Sequence, residues 1–155
     1  MTTFHIEPSR EDIMRAIESW RWLPLESKEP IRVTKFGDIF FSGEDGIWFL
    51  DTLEGKLTKV CESRNELEAI LRTEDGENHF FFAGFVERAE REGMRLNEGE
   101  CYDFSINPVV GGKLEYENVE PRNFVVAVNI AGQLHEKVRN LPDGARITGF
   151  TIEGE

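Results

Sequence analysis

The chain is 155 residues long, with 39% hydrophobic and 31% charged residues, a composition typical of one folded domain with its own core. Thirty acidic residues against eighteen basic ones give a net charge of −12 at pH 7. Such a surface repels nucleic acid and anionic membranes, so direct binding to either is not expected. No apolar run approaches the roughly 20 residues that span a bilayer, and no signal-peptide segment begins the chain, so a cytoplasmic location is predicted.

The N-terminal segment predicts one helix. Ser9 is a good N-cap, and the carboxylates that follow it suit the positive end of the helix dipole. An apolar stripe at helical spacing then extends to Trp20. Pro24 is expected to end this element, and residues 26–30 to form a polar connector.

Residues 34–60 predict a meander of three antiparallel strands. Aromatic and β-branched residues, which favour a pleated surface, cluster at residues 36–41, 47–50 and 57–60. Gly46 and Gly55 lie where the chain must reverse, because glycine adopts positive φ angles without strain.

Two helices are predicted after the meander. Ser63 and Glu66 have the spacing of a capping box, which begins a short helix. Residues 78–92 carry apolar side chains at helical spacing and predict a longer helix that ends at Gly93.

The C-terminal third predicts two further strands, a helix and a final edge strand. Residues 101–106 are expected to form a strand, followed by an irregular stretch to Pro121. The continuous apolar run 124–128 predicts a strand buried on both faces, and residues 130–140 predict a helix. After a turn at 142–144, residues 145–152 alternate as an edge strand.

Together these elements predict an α+β fold with a mainly antiparallel sheet in a single domain. Its order is an N-terminal helix, the meander, the central helices and a C-terminal strand–helix–strand.

No standard catalytic pattern is present in the sequence. His5, His79 and His135 are far apart and have no metal-binding spacing, and His135 is expected on the solvated side of the last helix. Asp38 and Asp51 are an alternative acid–base pair, although hydrogen bonding to a turn is the commoner role for such residues. No catalytic residue, metal site or cofactor is therefore predicted. Cys61 and Cys101, the only cysteines, are expected to be reduced and buried.

An excess of carboxylates between residues 98 and 120 predicts a partner-binding face. The region is mostly loop, and Lys113 is its single lysine. Trp22 is a candidate semi-exposed anchor, since interfaces favour tryptophan and arginine. A solvated acidic flank and a buried Trp22 remain open as alternatives. The predicted contact residues are Glu98, Glu100, Asp103, Glu115, Glu117, Glu120 and Trp22.

Several motifs resemble those of a known family. W-R-W-L at 20–23, V-T-K-F-G-D-I-F-F at 33–41 and D-G-I-W-F-L-D-T-L-E-G-K-L-T-K-V at 45–60 are followed by Y-D-F-S-I-N-P-V-V-G-G at 102–112, E-N at 117–118 and A-G-Q-L-H at 131–135. This order resembles the C-terminal domain of type VI secretion DNase-immunity proteins, formerly a domain of unknown function, over about residues 20–147. Members often carry an additional N-terminal domain. Here residues 1–19 leave room for one helix, and residues 20–152 are the expected family-like core.

The resemblance implies a cytosolic antitoxin of bacteria that binds and blocks a secreted toxin, commonly a DNase. The negative charge agrees, because a nuclease is usually basic around its cleft and an acidic inhibitor associates with it faster. The leading hypothesis is therefore a non-enzymatic immunity protein that occludes a basic nuclease. Two alternatives are a ligand-sensing domain, with a pocket between the aromatic helix and the loop at Gly111 and Gly112, and a hydrolase that uses carboxylates and a metal.

Overall fold

The predicted meander supplies the last three strands of a five-stranded antiparallel sheet whose strands follow in chain order. The structure is a computed structural model that describes residues 3–141. The strands of the sheet are β1 (His5–Ile6), β2 (Glu29–Thr34), β3 (Ile39–Gly43), β4 (Gly46–Asp51) and β5 (Lys56–Cys61). A separate two-stranded ribbon is made of β6 (Glu100–Phe104) and β7 (Val119–Asn123).

Five α-helices accompany the two sheets in the described part of the chain. They are α1 (Arg10–Ala16), α2 (Arg64–Leu71), α3 (Glu74–Phe81), α4 (Ala83–Arg91) and α5 (Phe124–Val138). A 3₁₀ turn, Ile17–Trp20, extends α1, and two more, Pro108–Val110 and Tyr116–Asn118, lie between β6 and β7. The α+β class with mainly antiparallel sheets, predicted from the sequence, is confirmed.

Helices cover both faces of the large sheet, which explains the continuous apolar sequence of β3 and β4. On one face Phe41 and Leu50 pack with Trp20 and with Val128 of α5. On the other face, apolar side chains of the sheet pack against α2 and α3. This second hydrophobic cluster includes Phe40, Ile47, Phe49, Leu67, Leu71, Phe80 and Phe81. A strand buried on both sides needs apolar residues at every position.

The N-terminal helix packs across α5 at its closest point. The indole Nε1 of Trp20 donates a hydrogen bond to the carbonyl of Val128 at 2.8 Å. A side chain at Gly132 would overlap Ser19 Oγ and approach Trp20 Nε1 within 2.8 Å, so only glycine fits there. Ser9 accepts a hydrogen bond from the Asp12 amide at 3.1 Å, which confirms the predicted N-cap.

The turns of the meander depend on the predicted glycines and on two aspartates. Gly46 and Gly55 have φ angles of 131° and 71°. Asp45 accepts from the Trp48 indole at 2.9 Å, and Asp51 accepts from the amides of the following turn at 2.9–3.0 Å. The Asp45 contact lies at the turn that joins β3 and β4, the pair of strands in which Phe40 is opposite Phe49.

Three sequence predictions are wrong in detail. Residues 124–128 are not a strand but the first turns of α5, because Asn123 caps the helix by accepting from the Val126 amide at 3.0 Å. Residues 119–123, expected to be irregular up to Pro121, form β7. Residues 26–30 are not all connector, since β2 begins at Glu29.

The predicted helix at 78–92 is also wrong as a single element. It is divided into α3 and α4 by Phe82, whose φ of 52° and ψ of 49° are left-handed. The Phe82 ring packs 5.0 Å from that of Phe36, and this tertiary contact accompanies the break. The helix does end before Gly93, which has a φ of 82°. The predicted edge strand at 145–152 lies outside the described residues.

Candidate functional site

The predicted carboxylates lie in three places rather than on one unpaired face. Glu98 and Glu100 lie at the start of β6, where Glu100 accepts a hydrogen bond from the Asn97 amide at 2.8 Å. Glu115 and Glu117 are exposed on the long connection between β6 and β7. The remaining two, Asp103 and Glu120, lie on the ribbon itself.

Asp103 and Glu120 share Arg122 as their ionic partner. They are direct partners in the β6–β7 register, and Arg122 approaches them at 3.2 Å and 2.9 Å. Burial raises the pKa of Asp103 although Arg122 opposes this, whereas hydrogen bonds from Ser105 and Arg122 lower the pKa of Glu120. These two carboxylates are therefore partly neutralised within the protein.

Glu117 is tied to helix α4 through Arg88. The Arg88 guanidinium lies 3.1 Å from Glu117 and 2.8 Å from Glu92, and it stacks 4.3 Å from the centroid of the Tyr116 ring. Within residues 3–141, Glu98 and Glu115 form no ion pair, so no basic side chain of this range neutralises their negative charge.

Trp22 lies on a different part of the surface from the carboxylates. It is half-buried, its ring stacks 5.6 Å from that of Trp20, and the Arg139 guanidinium lies 4.9 Å from its centroid. Its indole N–H has no hydrogen-bond partner in the described part of the chain. Trp22 is thus partly accessible, as expected of an anchor, but the structure does not bring it together with the six carboxylates.

A wide groove of about 810 Å³ lies between the N-terminal segment and the start of β6. Its floor includes Tyr102 and Phe124, and its rim includes the predicted residues Glu98 and Glu100. The charged lining contains more acids than bases, namely Glu7, Asp12, Glu90, Glu98 and Glu100 against Lys35 and Arg95. The groove is therefore acidic, with an apolar base.

The alternative catalytic pair, Asp38 and Asp51, supports turns in the chain. Asp38 is buried and accepts from the Thr52 amide at 2.8 Å and the Thr52 hydroxyl at 2.7 Å. Burial, followed by the charges of Asp51 and Asp103, raises the pKa of Asp38 to about 8. Asp51 accepts from the Leu53 and Glu54 amides. Both carboxylates thus hold residues 52–54 in place.

His135 is buried, so the prediction of a solvated position is wrong. Its Nε2 lies 3.0 Å from the carbonyl of Thr52, and its ring is 5.6 Å from that of Trp20. Burial lowers the pKa of His135. A Cβ at Gly55 would overlap the imidazole, so the turn of residues 52–55 packs directly on α5. Helical spacing did not reveal this, because it counts apolar residues and His135 is polar.

The small-molecule and metal alternatives find little support in the geometry. Asn107 and Pro108 do meet Phe82 at a cavity, but its volume of about 20 Å³ holds one water, whereas metabolite sites usually measure hundreds of Å³. Across residues 3–141, no group of three or more histidine, cysteine or acidic side chains is placed to hold a metal ion.

Both cysteines are free and buried, as predicted. No helix in the described range is long and apolar enough to cross a membrane.

Comparison with known proteins gives a family match and matches among solved structures. No curated protein matches the chain. The crystal structure of Atu4351 from Agrobacterium tumefaciens superposes with a TM-score of 0.50 at 18% identity, a similarity that shows the fold alone. The matched region covers 80% of this chain and 62% of that one, so the chain spans less than two thirds of its neighbour.

The family model that matches is described as T6SS immunity protein Tdi1, C-terminal, and it covers just under half of the chain. The matched segment begins directly after β5 and includes α2 to α4, the β6–β7 ribbon and most of α5. It also contains all six predicted contact carboxylates. Residues 62–135 are therefore similar to the C-terminal family of the type VI secretion immunity protein Tdi1, and over these residues the match confirms the resemblance carried by the sequence motifs.

Proposed function

We propose that this chain is an immunity protein that binds a toxin in the bacterial cytoplasm and blocks it in a one-to-one complex, and that the toxin is a basic nuclease. The family match supports a role in type VI secretion immunity. An immunity protein acts by binding, so no turnover of any substrate is expected. The proposed partner is a protein, with no direct contact to nucleic acid or membrane.

The net charge of −12 is the observation that carries the nuclease part of the proposal. A nuclease must attract phosphates, so its cleft is usually rich in lysine and arginine. An acidic inhibitor complements such a cleft and accelerates the encounter, because opposite potentials steer diffusing proteins together. Fast capture matters when the toxin must be stopped before it cuts.

The proposed contact residues remain Glu98, Glu100, Asp103, Glu115, Glu117, Glu120 and Trp22. Glu98 and Glu115 are the best placed, because they are exposed and have no ionic partner among the described residues. Asp103 and Glu120 contribute less free charge, since Arg122 lies between them. A protein that blocks a toxin by covering its cleft needs no catalytic residues of its own.

Co-expression with a candidate toxin gene, sought beside the gene of this chain, tests the proposal. We expect the chain to restore growth, to co-purify with the toxin, and to give a complex whose mass by light scattering equals one copy of each protein. The purified toxin alone should degrade plasmid DNA, and the chain should abolish this at equimolar amounts.

Each part of the proposal has its own contrary outcome. Failure to bind or protect overturns the immunity role. Protection from a toxin that leaves nucleic acid intact overturns the nuclease part alone, and inhibition far below equimolar amounts overturns stoichiometric occlusion.

A further inference from the structure

Two large apolar side chains on the loop of residues 105–118 are exposed to solvent. Ile106 is 58% exposed and Leu114 is 53% exposed. Among residues 3–141 only Leu141, at 46%, is a comparably exposed large apolar residue. An isolated exposed leucine is ordinary, but two on one loop indicate a contact surface.

The loop is closed by the side chain of Asn118. Its Oδ1 accepts from the Ile106 amide at 3.0 Å, and its Nδ2 donates to the carbonyls of Ile106 and Lys113 at 2.8 Å and 2.9 Å. Because one nitrogen contacts both carbonyls, Ile106 and Lys113 lie side by side. Leu114, which follows Lys113, therefore lies in the same part of the loop as Ile106.

The interior of the loop is as tightly fixed as its ends. Asn107 accepts from the Val109 amide at 2.9 Å, and the Gly112 amide donates to the Asn107 carbonyl at 3.1 Å. A Cβ at Gly112 would overlap the carbonyl of Ile106, so only glycine fits. The exposure of the two apolar side chains thus belongs to an ordered loop, which loses little conformational entropy when it binds.

Helix α4 continues this surface. Arg88 contacts the loop through Glu117 and the Tyr116 ring, and it also lines a shallow depression of about 340 Å³ that includes Phe82 and Phe85. Both phenylalanines are half-buried. Apolar and aromatic groups with an arginine among them match the composition of energetically important interface centres.

We propose that the docking surface, defined as the loop of residues 105–118 together with Phe82 and Phe85, forms the apolar centre of the interface through which this chain binds the toxin. Ile106 and Leu114 enter an apolar recess of the toxin, and lysine or arginine residues around that recess face Glu115 and Glu117. This inference rests on the proposed function and adds the surface and the chemistry of its partner.

Charge favours a basic toxin over a second copy of this chain. A symmetric dimer through this surface would place exposed carboxylates of two chains, each with a net charge of −12, against one another. A basic partner instead gains attraction from the same carboxylates while the apolar centre loses water.

Substitution of both apolar residues, I106S together with L114S, tests the surface. We expect at least a tenfold rise in the dissociation constant for the neighbouring gene's toxin, mainly through faster dissociation. The thermal midpoint should change little, because more than half of the surface of each residue is already exposed to water. L141S is the matched control, since it removes a similarly exposed leucine elsewhere, and it should bind like the wild type.

A charge reversal tests the rim in the same assay. E115K should slow association, whereas E44K, an equal change of charge in the exposed turn between β3 and β4, should slow it less. Hydrogen exchange of the wild-type complex provides evidence without any variant, because amides of residues 105–118 should become protected.

The outcomes separate the two proposals. If the wild type does not bind the toxin, the proposed function fails and this inference with it. If the wild type binds but the double variant stays within twofold of it and residues 105–118 gain no protection, the surface is wrong and the function stands. Loss of a wild-type dimer in the double variant, with toxin binding unchanged, assigns the surface to a second copy and also overturns the proposal.

Discussion

Gly55 and His135 illustrate how the family motifs act at the scale of single residues. Gly55 belongs to the motif around the meander and His135 to the A-G-Q-L-H motif, yet they touch in the fold, because the turn packs on α5. Asn107, Gly112 and Asn118, from two other motifs, close the loop of residues 105–118. Motif residues therefore fix contacts within the protein, which explains why they reveal the family but not the partner.

We expect G55A to destabilise the protein by about 2–4 kcal/mol. Alanine at a φ of 71° costs about 1 kcal/mol, and overlap of its Cβ with the His135 ring adds roughly 1–3 kcal/mol. Urea unfolding measures the loss. G93A is the matched control, because Gly93 has a φ of 82° but open space around it, so that only the backbone cost of about 1 kcal/mol remains. Equal losses in the two variants would contradict the close approach.

Asp38 should make the protein less stable as pH rises. Its folded pKa of about 8 lies above its ordinary value of 3.8, so the folded state binds the proton more tightly than the unfolded state. This contribution is fully present below about pH 4 and is lost as pH rises through about 8. Burial is the main cause, and the nearby carboxylates Asp51 and Asp103 add to it.

D38N isolates this effect, because asparagine keeps an acceptor for Thr52 and has no charge to bury. The free energy of unfolding of the wild type, minus that of D38N, should fall by roughly 2–4 kcal/mol between pH 4.5 and pH 8.5. Urea unfolding at several pH values provides the measurement, and E44Q, at an exposed carboxylate of the turn between β3 and β4, serves as control. A difference that is constant with pH would argue against a buried titrating Asp38.

At the scale of elements, the sequence predicted structure wherever local chemistry decides it. β3 and β4 could be found because apolar runs end at glycine turns. β2 was not predicted at all, since Pro30 is unusual inside a sheet and the residues before it were assigned to a connector. The strand prediction for residues 124–128 failed because a short apolar run fits a buried helix equally well, and the Asn123 cap decides between them. The break falls at Phe82 itself and not at the nearby Gly84, so the local sequence does not locate it.

The left-handed backbone at Phe82 predicts an unusual order of stability among variants. F82A and F82G both lose the ring contact with Phe36, but glycine also relieves the strain at a φ of 52°. F82G should therefore be more stable than F82A by about 1 kcal/mol. At Phe80, within α3, the order should be reversed, because alanine favours a helix over glycine by about 1 kcal/mol. Chemical unfolding of the four variants checks this, and the same order at both sites would indicate a continuous helix.

At the scale of the whole molecule, the excess of carboxylates was visible in the sequence, but their pairing was not. Arg122 reaches Asp103 and Glu120 because the ribbon register aligns these two residues. Arg88 reaches Glu117 only because α4 packs beside the loop. Ion pairs between distant segments depend on the fold, so the candidate site could be predicted as a region but not as a surface.

The net charge predicts how binding of the proposed toxin depends on salt. Electrostatic steering acts before contact, and it weakens as the screening length falls from about 10 Å at 0.1 M to about 3 Å at 1 M salt. The association rate should therefore fall roughly tenfold or more between low salt and 1 M salt, while the dissociation rate, set by buried apolar contacts, changes much less. Stopped-flow mixing measures both rates. An association rate independent of salt would mean that the charge of −12 serves solubility alone, and that the toxin need not be basic.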